Sequence, residues 1–434
     1  MSPRLHVSIT PLAAALAAGA VLTLAHAAGS AAQDPFPPAF PGQTDAPEAP
    51  PSVYEVEVVS TLLTRPWSMA FLPDGDILVV QSRGEMYVLD PETGFYNGPI
   101  EGTPDVKIVG SQAMHDVALD PDFETNRLIY FTYFRPPEGE GPAVWPLEYL
   151  YERIWAMTLE ERRNVDLGME VVARARLSED KRSLTDLEVL AEGGDRRVNF
   201  GPDGMLYVGG ADRFRLYDSD LDSKQHESLP LNDRRNYAGL MLRIHPDGSI
   251  PEDNPFVGVD GVDPAIFAFG FKDPEGAAFN PATGELWQVE HGPQGGDEIN
   301  IVRSGGDYGW PSVSYGVQYE RDGNAPVGTG RAVMEGTEQP IYTWTPSIAP
   351  SGMMFYTGDL FPDWRGDLFI GAMSASAGRF LVRLELDGDR VVAEEHLLVD
   401  LNERVRDIRQ GPDGAVYVLI DAGQMLRLVP PSTD

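Results

Sequence analysis

The 434-residue sequence contains no cysteine and only four lysines, Lys107, Lys181, Lys224 and Lys272. Without cysteine there can be no disulfide, thiolate nucleophile, thiolate zinc site or iron–sulfur cluster. The other basic residues are arginine, and 33 basic side chains face 67 acidic ones, for a formal net charge of −34. A chain this acidic repels phosphate backbones, which excludes nucleic acid as a partner. Long apolar runs are equally scarce, with a single one over residues 11–25. Hydrophobic residues still make up 42% of the chain and aromatics 9%, which excludes global disorder. What the sequence has in quantity is Gly, 45 residues, and Pro, 37 residues, a turn-rich composition that favours a β fold.

The amino-terminal segment reads as an address. Arg4 precedes the apolar run, and Leu24-Ala25-His26-Ala27 offers small residues for cleavage after Ala27. Residues 1–27 are therefore expected to be a secretory signal peptide. The run is too short for a membrane span, so a periplasmic or secreted protein is expected rather than an integral membrane protein. Residues 28–52 are rich in Pro and Ala without periodicity and are expected to form an extended linker. The folded domain is then 53–434.

Within that domain one unit recurs six times: an alternating apolar segment, a Pro-Asp-Gly-like turn and a short apolar strand. It appears as SMAFLPDGDILVV at 68–80, HDVALDPDFETNRLIYFTY at 115–133 and RRVNFGPDGMLYVGG at 196–210. It returns as EGAAFNPATGELWQVE at 275–290, GDLFPDWRGDLFIGA at 358–372 and RDIRQGPDGAVYVLI at 406–420. Proline fixes φ at the turn, Asp caps it and Gly takes the positive φ. Six such units predict an all-β fold, a six-bladed β-propeller of four-stranded antiparallel blades. The long gap between the second and third units accommodates an insertion, helix-like near 147–163. Ring closure without a disulfide requires Tyr54–Ser60 to pair with the strands of Val416–Val429.

In such a ring the loops leading into the inner strands meet at one end of the axis. Here they carry Arg65 and Trp67; Gln112, His115 and Asp116; Asp195, Arg196 and Arg197; Lys272, Asp273 and Glu275; Ser347 and Ser351; and Arg404, Arg406 and Asp407. A polar funnel over apolar blades is a ligand site. Its most informative neighbour is Glu290-His-Gly-Pro-Gln-Gly-Gly-Asp-Glu-Ile-Asn300. There Gly-Pro and Gly-Gly turn the chain sharply enough to aim carbonyl oxygens inward, and Asp297 and Glu298 add carboxylates. Such a set of hard oxygens suits Ca²⁺.

At these residues the chain resembles the soluble PQQ-dependent aldose sugar dehydrogenases, the glucose/sorbosone dehydrogenase family, over Tyr54 to Pro430. The motifs that carry the resemblance include RPWSMAFLPDG, FGPDGMLYVGG, RIHPDGSIPEDNPF, EHGPQGGDEIN, DYGWPSVSYG and RDIRQGPDG. The resemblance implies a six-bladed propeller that holds pyrroloquinoline quinone (PQQ) and Ca²⁺ over the channel. It implies oxidation of the C1 hydroxyl of an aldose to a lactone by hydride transfer to the quinone, with a periplasmic electron acceptor. Gly292 and Pro293 match the carbonyl ligands of the cofactor calcium. Glu298 and the carbonyl of Tyr308 match a structural calcium site. Gln112, Lys272, Asp273, His291, Asp297, Trp344, Arg404 and Arg406 fall at or near cofactor-contact positions. Two guanidinium groups suit a tricarboxylate.

Departures from the family pattern fall in the same loops. The family's general-base histidine falls on Gly193. The Arg-Asn-Pro-Gln of the family is Lys272-Asp-Pro-Glu275 here, and a cofactor-contacting lysine is absent from Met373–Gly378. The substitute bases to be considered are His115 and Asp195, a neutral imidazole at pH 7 being suited to the work. Two other functions stay open: a family member that binds a sugar or other ligand without catalysis, and a Ca²⁺-dependent lactonase-type hydrolase.

Overall fold

Each of the six repeats falls in the inner hairpin of a separate antiparallel sheet, five supplying both strands and the fifth, 358–372, only the second, in a computed structural model that describes residues 36–109, 113–136, 143–145, 169–194, 196–211, 239–318 and 326–432. The inner strands are Pro66–Phe71, Met114–Leu119, Val198–Phe200, Pro274–Phe279, Pro350–Phe355 and Val405–Gln410, from blade one to blade six. Five sheets have four strands. Blade one has three, with a single bridge from Leu89 to Tyr96 at its outer edge. The result is the expected six-bladed propeller. The ring closes as the sequence requires: Glu55–Ser60 pairs with Gln424–Val429 from Glu55↔Val429 onward. The helix-like stretch at 147–163, and with it Gln112 and Asp195, lies outside the described residues. No helix among the described residues is long and apolar enough to cross a membrane.

Six hydrophobic clusters hold the blades together, one at each interface. Leu78, Val80 and Val88 of blade one pack on Val117, Ile129 and Phe131 of blade two. At the far side of the ring, Met69 and Val79 pack on Tyr417 and Leu419, so blade one seals blade six. These strands bury both faces, which is why the second strand of each blade reads as a continuous apolar run such as Val416–Ile420. The repeat's turn also serves the packing. Asp203 accepts from Tyr207 Oη at 3.0 Å and Arg243 Nη2 at 2.9 Å, and Asp413 is placed the same way by Tyr417 and Arg427 in blade six.

The Pro/Ala-rich segment from residue 36 onward lies along the outer edges of blades four and five. Gln43 is fully buried, its amide donating to Pro340 O at 2.8 Å, and its carbonyl accepts from Thr343 N. Further on, Ala49 N donates to Glu394 O and Glu394 N to Pro47 O. The prolines hold this stretch extended, and its backbone covers two exposed strand edges that would otherwise be open to pairing.

On the axis, four charges from blades two, three and six form a buried plug. Arg197 Nη1 lies 3.2 Å from Asp116 Oδ1 and 2.8 Å from Asp407 Oδ1. Arg409 closes the group at 3.1 Å from Asp116 and 3.3 Å from Asp407. Both aspartates are fully buried, and both also take main-chain donors, Val198 N on Asp116 and Met69 N on Asp407. Blade four joins through Glu275 O, which accepts from Arg197 Nε at 2.8 Å. Blade five joins through Gly352, where an added Cβ would sit 2.5 Å from Asp407 Oδ1 and 2.7 Å from Asp407 Cα. Every blade therefore touches the plug. Replacement Gly352→Ala is expected to lower stability by about 1–3 kcal/mol through overpacking against main chain, read as the midpoint of thermal or denaturant unfolding. An unchanged midpoint would show that blades five and six do not meet closely at the axis.

Candidate active site

The residues just before the plug in each inner strand form a second, more open layer around the axis. Contacts run from blade one round to blade six. Ser68 Oγ donates to His115 O at 2.9 Å, and Thr132 Oγ1 to Arg196 O at 2.8 Å. Arg196 Nη2 meets Asp273 Oδ1 at 2.8 Å. His291 Nε2 meets Pro350 O at 2.7 Å, and Ser351 Oγ donates to Val405 O at 2.6 Å. Further along the inner strands, beyond the plug, the channel opens to about 450 Å³. That part is lined largely by apolar side chains such as Met69, Val117, Phe200, Phe279 and Met353, so the chemistry belongs to the opposite, charged end.

Three groups make up the mouth. The first is cationic: Arg404 Nε and Arg406 Nε lie 2.7 and 2.8 Å from the two oxygens of Asp421, which holds both guanidiniums side by side. Lys272 joins them in sequence position and places Nζ 5.9 Å from the Trp310 ring centroid. The second is Asp273, Glu275 and His291, with Arg196 beside them. Burial pushes the Asp273 carboxyl up, but Arg196, His291 and Lys272 outweigh it and bring it down to about 2. Glu275 is 4% exposed, and its Oε2 has no hydrogen-bond partner among the described residues. The third is the Gly292–Pro293 turn. Asp297 underpins it, accepting from Gly292 N at 2.9 Å, Ala349 N at 2.9 Å and Ser347 Oγ at 2.8 Å.

The structure brings Lys272, Asp273, His291, Arg404, Arg406, Gly292 and Pro293 together and sends other expected residues elsewhere. His115 is fully buried, its ring 5.0 Å from that of Trp67 and 5.4 Å from that of Phe134, with Arg196 Nη1 at 3.5 Å. It supports Arg196 from below and does not line the mouth. Asp297 acts on the turn and not outward. Trp344 lies on the outer strand of blade four, where its indole N–H donates to Glu394 at 3.1 Å, so its ring packs between blades four and five. Tyr308 and Glu298 were expected at a separate calcium site and not at the mouth; the Tyr308 ring stacks on Phe271 at 4.3 Å and its hydroxyl donates to Ile301 O. Glu298 faces Glu290 across paired strands, both bound to Asn300. Gly193, the position on which the resemblance places the base, has φ of 96°, a left-handed backbone in which a histidine would be strained. Arg196, Glu275 and Asp421 complete the site without having been singled out as site residues. Asp421 follows the second strand of blade six as His291 follows that of blade four, so the exits of the second strands carried the signal.

The sequence pattern of the Glucose / Sorbosone dehydrogenase family matches residues 63–427. The chain belongs to the glucose/sorbosone dehydrogenase family. Among its relatives, Aldose sugar dehydrogenase YliI of Escherichia coli is 34% identical over 397 residues, 88% of this chain and 94% of that protein. Quinoprotein glucose dehydrogenase B of Acinetobacter calcoaceticus is 26% identical over 85% of each chain. The crystal structure of the soluble aldose sugar dehydrogenase of Escherichia coli in the apo form superposes with a TM-score of 0.71 at 31% identity, covering 87% of this chain and all of that one.

The Glu290–Glu298 pair gives this family member a pH signature. Burial and then the charge of Glu298 push Glu290 well up, and burial and Asp297 push Glu298 to about 7 against an ordinary 4.5. A carboxyl with a raised folded-state pKa holds its proton more tightly folded than unfolded. Its contribution is therefore complete below about pH 4.5 and is lost as pH rises through 7. In chelator, the melting temperature is expected to fall between pH 5 and pH 8, and Glu298→Gln to flatten that fall. A variant slope equal to that of the native protein would contradict the assignment.

Proposed function

We propose that the protein is an exported sugar dehydrogenase that uses PQQ to oxidise the C1 hydroxyl of an aldose, passing electrons to a periplasmic acceptor. The observation that carries this reading is the pair Arg404–Arg406, fanned from the one carboxylate of Asp421, with Arg406 in electrostatic reach of Glu275. These donors fit the cofactor of the quinoprotein relative. Two guanidiniums and the Lys272 ammonium match a planar tricarboxylate in charge. The turn is so tight that a Cβ on Gly292 would lie 2.1 Å from Gly295 O. Gly292 and Pro293 would supply main-chain oxygens to Ca²⁺. PQQ, when bound, supplies a two-electron acceptor for the hydride leaving the sugar.

The protein's own part is to orient the sugar, exclude water and handle the hydroxyl proton. Arg404 and Arg406 arrive already aligned, because Asp421 fixes both and Met373 O accepts from Arg404 Nη1 at 3.0 Å. No side chain at 193 takes the proton. That work falls to the Asp273–Glu275–His291 group, the basic atoms that the described part of the mouth presents. Gly193 also favours a second reading, in which the protein binds the sugar without oxidising it. Export is supported by the signal-like residues 1–27 alone.

Titration with PQQ and Ca²⁺, followed by quinone absorbance, is expected to give a one-to-one complex that reduces a dye when aldose is added. Arg406→Ala should weaken quinone binding by about tenfold or more, the loss of one charge-assisted bond. A complex that forms but stays silent with every aldose selects the second reading. No quinone binding at saturating concentration overturns the first.

A further inference from the structure

We propose that Asp273, Glu275 and His291 form a binding site for a divalent transition-metal ion. Their nearest ligand atoms all lie within 4.8 Å of one another. His291 Nε2 is 2.7 Å from Pro350 O, and a carbonyl can only accept, so Nε2 carries the ring proton. The other nitrogen, Nδ1, then turns a lone pair toward Asp273 Oδ2 at 3.6 Å, too far for a hydrogen bond. Asp273 gives its other oxygen, Oδ1, to Arg196, so Oδ2 stays available. Glu275 is almost wholly buried, and among the described residues its Oε2 finds no hydrogen-bond partner. One ligand atom from each side chain thus lies within reach of a shared ion, with Arg196 Nε 3.8 Å from Glu275 Oε1 at the edge of the group. Leaving a buried carboxylate oxygen so exposed to its neighbours is costly, and a cation removes the cost.

The donor set identifies the class of ion. An imidazole with two carboxylates suits Zn²⁺ or Mn²⁺, whereas Ca²⁺ takes oxygen ligands. A backbone carbonyl on the far ring nitrogen is the usual partner of a metal-bound histidine, fixing its tautomer and orientation. Atoms sharing a tetrahedral zinc ion lie about 3.3 Å apart, so the three side chains must rotate inward by about an ångström or more to seat it. This site differs from the carbonyl-bound calcium at Gly292 and Pro293, because all its ligands are side chains and two of them are acids where the family pattern has Asn and Gln. The inference deepens the proposed function without needing the quinone to bind: an ion there offsets the two added negative charges, and while it is bound the three side chains are its ligands, so the base role given to them above belongs to the metal-free protein.

The test uses the untagged full protein, stripped with chelator and titrated with ZnCl₂ in the absence of quinone. One zinc equivalent is expected at this site. Glu275→Gln and His291→Asn should each weaken it by about tenfold or more, with CaCl₂ failing to compete. Circular dichroism checks that the variants fold. Should they not, the zinc-edge anomalous peak in crystals of the native protein decides instead, and must fall between the three side chains. Absence of zinc binding, unchanged affinity in folded variants, or a peak elsewhere alone overturns the inference. Quinone titration of the same preparation is read separately, so failure of the metal site leaves the dehydrogenase reading standing, and the converse holds.

Discussion

Burying four charges on the axis of a ring makes sense only if each is answered, and that requirement organises this molecule. Desolvation pushes the Asp407 carboxyl up, opposed by Arg197 and Arg409. A buried pair of this kind adds little net stability compared with apolar packing, yet losing one partner costs several kcal/mol. The plug therefore acts as a registry device. Arg197 reaches from blade three to Asp116, Asp407, Glu275 O and, at 3.3 Å, Arg406 O. It also lies 4.4 Å over the Trp67 ring of blade one. A strand that slipped by one residue would expose these charges to the wrong neighbours.

The same register builds the mouth. His115 precedes Asp116, Arg196 precedes Arg197 and Arg406 precedes Asp407. In each case one residue enters the plug and its neighbour belongs to the layer above. Fixing the plug thus fixes Arg196 and Arg406, and through them Asp273 and Asp421. Chemistry at the mouth can then change while the frame holds. Here the frame holds the paired arginines and the Gly292–Pro293 turn, with Asp273 and Glu275 beside them.

The fold was largely legible in the sequence because each blade repeats the same local physics. A Pro-Asp-Gly turn between alternating apolar segments names a hairpin without knowledge of anything distant, and ring closure by Glu55–Ser60 followed from the lack of cysteine. The mouth was legible only where it sits on the lead-in loops. Trp344 was misplaced because its partner, Glu394, is 50 residues away on another blade, and a period-two pattern does not say which neighbour a strand's outer face meets. The packed position of His115 was hidden for a similar reason, since Trp67 and Phe134 come from separate strands. Asp421 was missed because strand exits were not read beside strand entrances. The docking of residues 36–52 was invisible because an extended backbone hydrogen-bonding to a sheet edge has no side-chain periodicity.

The most direct test is a double-mutant cycle on the plug, with Arg197→Met, Asp407→Asn and the pair compared by denaturant unfolding. If the axial charges set the register, the two residues should be coupled by about 1–3 kcal/mol, the range for groups in one buried network. Additivity within about 0.5 kcal/mol would mean that the blades find their places without the plug, and that the mouth is not positioned by it.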